Sequence, residues 1–198
     1  MKPIKLDSQT GTAAAALTLT PVDVIQAKGY GVLVACTVAT AAVKTFLDAA
    51  VDVTANTITI ASHGYYTGLK VAATTTGTLP GGLSATDYYV IRVDASTIKL
   101  STSAANAIAG TEVDITSAAG GGTHTLTPAA LAGASYKLQY SLDGITYIDS
   151  GVTNNVTVTA SFLHEKVDPM FNYVQLVWAM SAGQIAYSVS TLVKEENY

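Results

Sequence analysis

The feature that most constrains the fold is an alternating stretch at residues 135–151, SYKLQYSLDGITYIDSG. Tyr136, Leu138 and Tyr140 lie on one face of an extended chain, because successive side chains of a strand point to opposite sides. The Asp-Gly pair that follows suits a tight turn, since glycine adopts the positive φ that hairpin turns require. The stretch therefore predicts a β-hairpin whose return strand starts near Ile145 and whose apolar face needs a second sheet.

The composition favours strands over helices in the rest of the chain. Of the 198 residues, 49% are hydrophobic, and the 11 Tyr residues far outnumber the 3 Phe and 1 Trp. Aromatic and β-branched residues suit half-buried strands, whereas the strong helix formers Glu, Lys, Arg and Gln are scarce. The sequence predicts an all-β protein, a β-sandwich of jelly-roll or immunoglobulin-like type.

Apolar and alternating runs predict further strands. Residues 32–38 are apolar on both faces, which is typical of a central strand, and residues 171–179 and 184–193 alternate cleanly. The shorter predictions are a strand at residues 113–115, polar loops at 8–12 and 164–168, and either a helical turn or a strand at 41–47.

The amino-acid composition changes twice along the chain. Its two ends are dense in apolar and aromatic residues, whereas the middle is richer in Thr and Gly. Insertions are tolerated at exposed loops, because the two ends of the host chain lie close together there. The sequence therefore predicts a sandwich domain made of residues 1–51 and 130–198, with a small β domain of residues 52–129 inserted into it.

The small share of charged residues suggests a protein that functions as a subunit of a larger assembly. Charged residues make up 12% of the chain, about half of the usual share of roughly 25%. A surface poor in Lys and Glu suits a protein that buries much of its outside against other subunits. The net charge of −4 and the scattered basic residues argue against a nucleic-acid partner. We expect no membrane span and no signal peptide, since no long apolar run is found.

Five short motifs follow one another in the middle of the chain. They are Ser-His-Gly at residues 62–64, Thr-Gly at 67–68, Leu-Pro-Gly-Gly-Leu at 79–83, Tyr-Tyr-Val at 88–90 and a hairpin from Asp94 to Leu100. Together they resemble a β module that recurs in virion proteins of tailed bacteriophages. The resemblance covers most of the predicted inserted domain, and the module occurs in several kinds of virion protein.

The flanking segments carry a second pattern. It consists of a Tyr-led strand at residues 30–37, a Leu-Gln-x-Ser-x-Asp-Gly turn within 138–147, and a Tyr-Val strand at 173–178 that ends in Trp. This pattern resembles the small β-sandwich of phage head or tail structural proteins, although Tyr147 stands where Trp is more usual. The resemblance implies a virion location, synthesis in the host bacterial cytoplasm, and partners among the major capsid, neck or tail proteins. It implies a homo-oligomer or part of a large assembly, and it brings no catalytic residues.

Residues that could carry chemistry are few. His63 and His124 lie near the two ends of the predicted insert, and with Asp114 they could bind a metal, but no close ligand spacing supports this. We expect both histidines to have local structural roles, and Cys36 to be a small buried residue. Neither a nucleophile on a strained elbow nor a phosphate-binding loop is recognisable. The sequence therefore predicts no enzyme, no cofactor and no metal site.

The candidate contact residues are Tyr65, Tyr66, Tyr88 and Tyr89. Neighbours in a strand point in opposite directions, so one member of each pair is expected at the surface and the other in the core. An exposed Tyr is a good contact residue for protein or sugar. We expect a structural virion protein, either a head-surface decoration protein or a neck or tail component. The alternative is a receptor- or carbohydrate-binding module of a tail or head fibre, with a host-surface ligand.

Overall fold

The computed structural model describes residues 3–24, 27–118, 121–157, 159–167 and 170–195. The N-terminal strands are β1 (Pro3–Ala13), β2 (Leu17–Thr18), β3 (Val22–Asp23) and β4 (Ala27–Val38). The middle elements are β5 (Lys44–Phe46), a 3₁₀ helix (Asp48–Ala50), β6 (Val51–Asp52), β7 (Thr57–Thr59), β8 (Lys70–Thr75), β9 (Asp87–Arg92), β10 (Thr97–Ser101), α1 (Ala104–Ala109) and β11 (His124–Pro128). The C-terminal strands are β12 (Ser135–Ser141), β13 (Ile148–Asn155), β14 (Ala160–Val167), β15 (Tyr173–Ala179) and β16 (Ile185–Glu195). The all-β prediction is confirmed.

The N- and C-terminal strands form a β-sandwich. One sheet has the order β1-β16-β4-β14 and the other β13-β12-β15-β2, with β3 also paired to β15. The inner faces share one core, to which Val34 and Ile185 contribute from the first sheet and Tyr136, Leu176 and Trp178 from the second. Because one face of β15 is buried and the other half-exposed, its sequence alternates as predicted.

The middle of the chain forms a separate antiparallel sheet with its own core. The order of its seven strands is β5-β11-β8-β9-β10-β7-β6. Ile58, Leu69, Val90 and Leu126 are fully buried in this second core. The strands of this sheet thus contribute to a core of their own, and an inserted domain at residues 52–129 stays a prediction.

The seven-stranded sheet begins earlier than the predicted border at residue 52. The undecided segment at 41–47 contains β5, which pairs with β11 at the edge of this sheet. Phe46 is buried, and its ring centroid lies 4.9 Å from that of His124. A three-residue strand is too short to produce a periodic signal, so the sequence alone does not assign it to either core.

Three local predictions are wrong. The predicted loop at residues 8–12 belongs to β1, where Gly11 leaves room for the Tyr187 ring, since a Cβ there would lie 2.7 Å from the Tyr187 hydroxyl. The predicted loop at 164–168 belongs to β14 up to Val167, which pairs with β4, and Asp168 is outside the described residues. The predicted strand at 113–115 is an irregular segment held by a hydrogen bond from the Val113 N–H to the Leu100 carbonyl.

Gln184 joins the two cores. It is 2% exposed, its Nε2 donates to the Gly64 carbonyl at 2.9 Å, and its Oε1 accepts the Tyr66 N–H at 3.1 Å. Gly68 also packs closely against Ala15. A Cβ atom added at Gly68 would lie only 2.9 Å from the Cβ of Ala15. The Ser-His-Gly motif and the residues after it therefore form the contact with the sandwich.

Replacing Gln184 with alanine is expected to lower the free energy of unfolding by about 1–3 kcal/mol, because the side chain is buried and both of its part-buried hydrogen bonds to the backbone are lost. Urea denaturation measures this loss, and hydrogen exchange of the Tyr66 amide should become faster. Gln175→Ala is the matched control, since the Gln175 side chain is half-buried and donates to another side chain, that of Gln139. Equal losses for the two variants would contradict a special role of Gln184.

Candidate interaction surface

The structure separates the members of the two Tyr pairs. Tyr65 is fully buried and Tyr88 is 5% exposed, whereas Tyr66 and Tyr89 are half-buried. The Tyr65 hydroxyl donates to the Ala42 carbonyl at 2.8 Å, which fixes it inside the second core. Tyr65 and Tyr88 therefore cannot reach a partner from the folded chain. For Tyr66 and Tyr89 the contact role stays a prediction.

His63 organises the turn that contacts the sandwich. Its Nδ1 accepts the Tyr65 N–H at 3.0 Å, and its Nε2 donates to the Asp94 carbonyl at 2.9 Å. This pair of bonds requires a neutral ring with its proton on Nε2. Burial lowers the pKa of His63 below its ordinary value, which favours the same neutral form.

His124 ties three elements of the seven-stranded sheet together. Its Nε2 donates to Asp48 Oδ1 at 2.7 Å, and its Nδ1 accepts from the Thr75 hydroxyl at 2.8 Å. The hydrogen bond from His124 lowers the pKa of the Asp48 carboxyl. A hydroxyl, an imidazole and a carboxylate are thus aligned as in a nucleophilic relay. The ring is fully buried, however, and the Thr75 hydroxyl also accepts the Gly77 N–H, so the arrangement serves the fold.

His63 and His124, which the sequence suggested as metal ligands together with Asp114, have different hydrogen-bond partners. Both ring nitrogens of His63 and of His124 are engaged in hydrogen bonds within the seven-stranded unit. Among the described residues, no group of three or more His, Cys, Asp or Glu side chains is placed to hold a metal ion. Cys36 is buried, as predicted.

Exposed apolar side chains gather at the tip of the β12–β13 hairpin. Leu142 is 66% exposed, Ile145 84%, Ile148 71% and Met170 86%. Leu142, Ile148 and Met170 line an open cleft of about 500 Å³, here called the tip cleft, together with Tyr140, Ser141, Asp143, Thr146 and Phe171. Ile145 lies in the same turn but is not part of this lining. Groups of exposed apolar side chains of this kind mark interaction sites.

Hydrogen bonds hold the turn that carries the tip cleft. Asp143 Oδ1 accepts the N–H groups of Thr146 and Ile145 at 2.8 and 2.9 Å and the Ser141 hydroxyl at 2.8 Å. These bonds, that of Thr146 first, lower the pKa of Asp143 to about 2. Gly144 has a φ of 74°, which confirms the predicted turn. These bonds hold the backbone of the turn that carries Leu142 and Ile145.

The base of the tip cleft is also fixed. The rings of Tyr140 and Phe171 are stacked, with centroids 4.1 Å apart and an interplanar angle of 13°. The Asn172 side chain donates to the Leu142 carbonyl at 2.7 Å and so ties the start of β15 to the hairpin turn. The tip is thus braced by the neighbouring strand.

Sequence reasoning missed this surface because it assigned Ile145 to the return strand. The structure starts β13 at Ile148, so Ile145 lies in the turn. A usable signal was present in the sequence: Leu142 and Ile145 flank an Asp-Gly turn, where polar residues are the rule. Apolar side chains at such a position have no core to enter.

No helix among the described residues is long and apolar enough to cross a membrane. The chain was compared with models of protein families and with curated proteins, and neither comparison found a match.

Proposed function

We propose that the protein is a non-enzymatic structural component of a tailed-phage virion that acts through protein–protein contacts. Within the virion it serves as a head-surface decoration protein or as a neck or tail component. The observation that carries the proposal is the tip cleft, whose apolar lining residues Leu142, Ile148 and Met170 are at least 66% exposed. Their burial against another protein is favourable, at roughly 25 cal/mol per Å² of apolar surface. The virion setting is supported by the two resemblances in the sequence.

The low charge of the chain fits the same role. Only 12% of the residues are charged, so an interface on this protein requires little desolvation of ionic groups. Quantitative mass spectrometry of purified particles of the encoding phage tests the proposal. Hundreds of copies per particle would indicate the capsid, and about six or twelve would indicate the neck or tail. Absence from the particles would refute the proposal.

A double variant at the tip cleft is expected to impair incorporation into particles. Ile145→Ser combined with Met170→Ser removes two exposed side chains, so we expect incorporation to fall by at least about tenfold, corresponding to ~1.4 kcal/mol. The melting temperature should change little, because neither residue contributes to a core. Particle incorporation is measured by immunoblotting against the major capsid protein.

The matched control is Val93→Ser combined with Ile108→Ser. These residues are 53% and 59% exposed but lie on the seven-stranded unit. Incorporation of the control variant should be normal. If the control loses incorporation and the tip variant does not, the contact surface is on the seven-stranded unit instead.

A receptor- or carbohydrate-binding role is the second candidate, favoured by the partial exposure of Tyr66 and Tyr89. Replacing both with serine is expected to lower adsorption to host cells. The melting temperature should change little for Tyr89→Ser alone, whereas Tyr66→Ser should lower it, because the Tyr66 ring packs against the second core. Adsorption loss with normal incorporation would support this role. Incorporation loss would indicate an assembly contact, and no change in either would exclude both tyrosines as contact residues.

A further inference from the structure

The tip cleft carries at its edge a negative charge that belongs to none of the described ion pairs. Asp143 is exposed and is part of the lining. Its Oδ1 accepts hydrogen bonds from Ser141, Ile145 and Thr146, and none of the described ion pairs includes Asp143. The acid next to it on the hairpin, Asp149, is by contrast paired with Lys137 at 3.1 Å.

This charge restricts what the cleft can bind. An occupant that covers the apolar side chains also removes water from the Asp143 carboxylate. Desolvating a carboxylate that has hydrogen-bond donors but no cationic partner is unfavourable unless the occupant supplies a cation. A purely apolar or an acidic occupant is therefore disfavoured, whereas an apolar side chain next to a Lys or Arg satisfies both parts of the site.

The cleft is also prepared for binding. The Asp143 turn and the stacked Tyr140 and Phe171 rings fix its shape before an occupant arrives. A rigid site loses little conformational entropy on binding, so even a short segment can be held. The cleft volume of about 500 Å³ lies within the range of ordinary binding pockets.

We infer that the tip cleft binds a segment of a partner protein in which apolar side chains adjoin a lysine or arginine that pairs with Asp143. This inference rests on the proposed function, since it specifies the chemistry of the partner at the same site. Leu142, Ile148 and Met170 provide most of the binding free energy, and Asp143 determines which partner segment is preferred.

Two peptides of opposite charge test the inference. Acetyl-Gly-Lys-Phe-Leu-Gly-amide and its Lys→Glu counterpart are titrated into the ¹⁵N-labelled full chain and followed by NMR at low ionic strength. The Lys peptide should shift the amides of Ile145, Thr146 and Met170, and the Glu peptide should bind at least about fivefold more weakly. High salt should reduce this preference, because the charges are at the surface.

Two substitutions test whether the Asp143 carboxylate causes the preference for the Lys peptide. Asp143→Asn keeps the acceptor oxygen of the turn and removes the charge, so the preference for the Lys peptide should disappear while the protein stays folded. Asp149→Asn, on the same hairpin, should leave the preference unchanged. Equal binding of both peptides, or no binding at the tip, would overturn the inference. Peptide binding by a protein that is absent from purified particles would refute the virion role and leave the inference standing.

Discussion

Replacement of Trp178 with alanine is expected to lower the free energy of unfolding of the sandwich by about 3–5 kcal/mol. Trp178 is 1% exposed at the centre of the shared core. Its ring centroid lies 5.2 Å from that of Tyr136 and 6.0 Å from that of Tyr187, so it contacts both sheets. The cavity left by alanine cannot close without moving the two sheets. Urea denaturation followed by circular dichroism measures the loss.

Trp178→Phe separates packing from hydrogen bonding. The indole Nε1 is buried and has no hydrogen-bond partner among the described residues, so phenylalanine removes no hydrogen bond and refills most of the space. We expect a loss of at most about half that of the alanine variant. A loss below ~1 kcal/mol for alanine would place Trp178 on the surface and contradict the shared core.

Excision of residues 41–130 is expected to leave a folded sandwich. Both cut ends lie beside the same turn, because the Ala39 N–H donates to the Gln184 carbonyl at 3.1 Å and Ala132 pairs with Ala182. A short Gly-Ser linker between them should therefore replace the entire seven-stranded unit. Circular dichroism and a cooperative denaturation curve measure the outcome. An unfolded product would mean that the two cores depend on each other.

A narrower excision of residues 53–128, which follows the border predicted from sequence, is the informative comparison. It keeps Phe46 but removes His124 and the strand that covers it. An exposed Phe and an unpaired β5 should make this variant less stable and more prone to aggregate than the wider excision. If the narrower excision gives the more stable protein, the result would support the border at residue 52 that the sequence predicts.

The long strands of the sandwich could be predicted because their side chains meet one environment on each face. In β15, Val174, Leu176 and Trp178 face the core, and this alternation is visible in the sequence without knowledge of the partner strand. The short helix was equally predictable, because Ser103 caps its start and Gly110 ends it with a φ of 76°. Such signals depend only on neighbours along the chain.

The remaining features depend on residues far apart in sequence. β5 can be recognised only from the contact between the rings of Phe46 and His124, which are far apart in sequence. The continuation of β1 through Gly11 depends on the Tyr187 ring, which packs against that glycine. The division of the Tyr pairs into core and surface members was expected, but which member is buried depends on how the segment docks against Gln184 and the second core. The tip cleft was missed because Ile145 was assigned to the return strand, and its full lining also combines the hairpin with Met170 and Phe171 from another segment.

The order of strands along the chain has a consequence for folding during synthesis. Every partner of the seven-stranded sheet lies between Lys44 and Pro128, whereas β4 pairs only with the much later β14 and β16. The middle unit can therefore close first, and the pairing of Lys44 with Leu126 then brings the chain on either side of it together. This shortens the loop that must close when β4 meets its partners. A chain truncated after β13 is expected to resist protease across residues 44–128 while β4 is still cleaved.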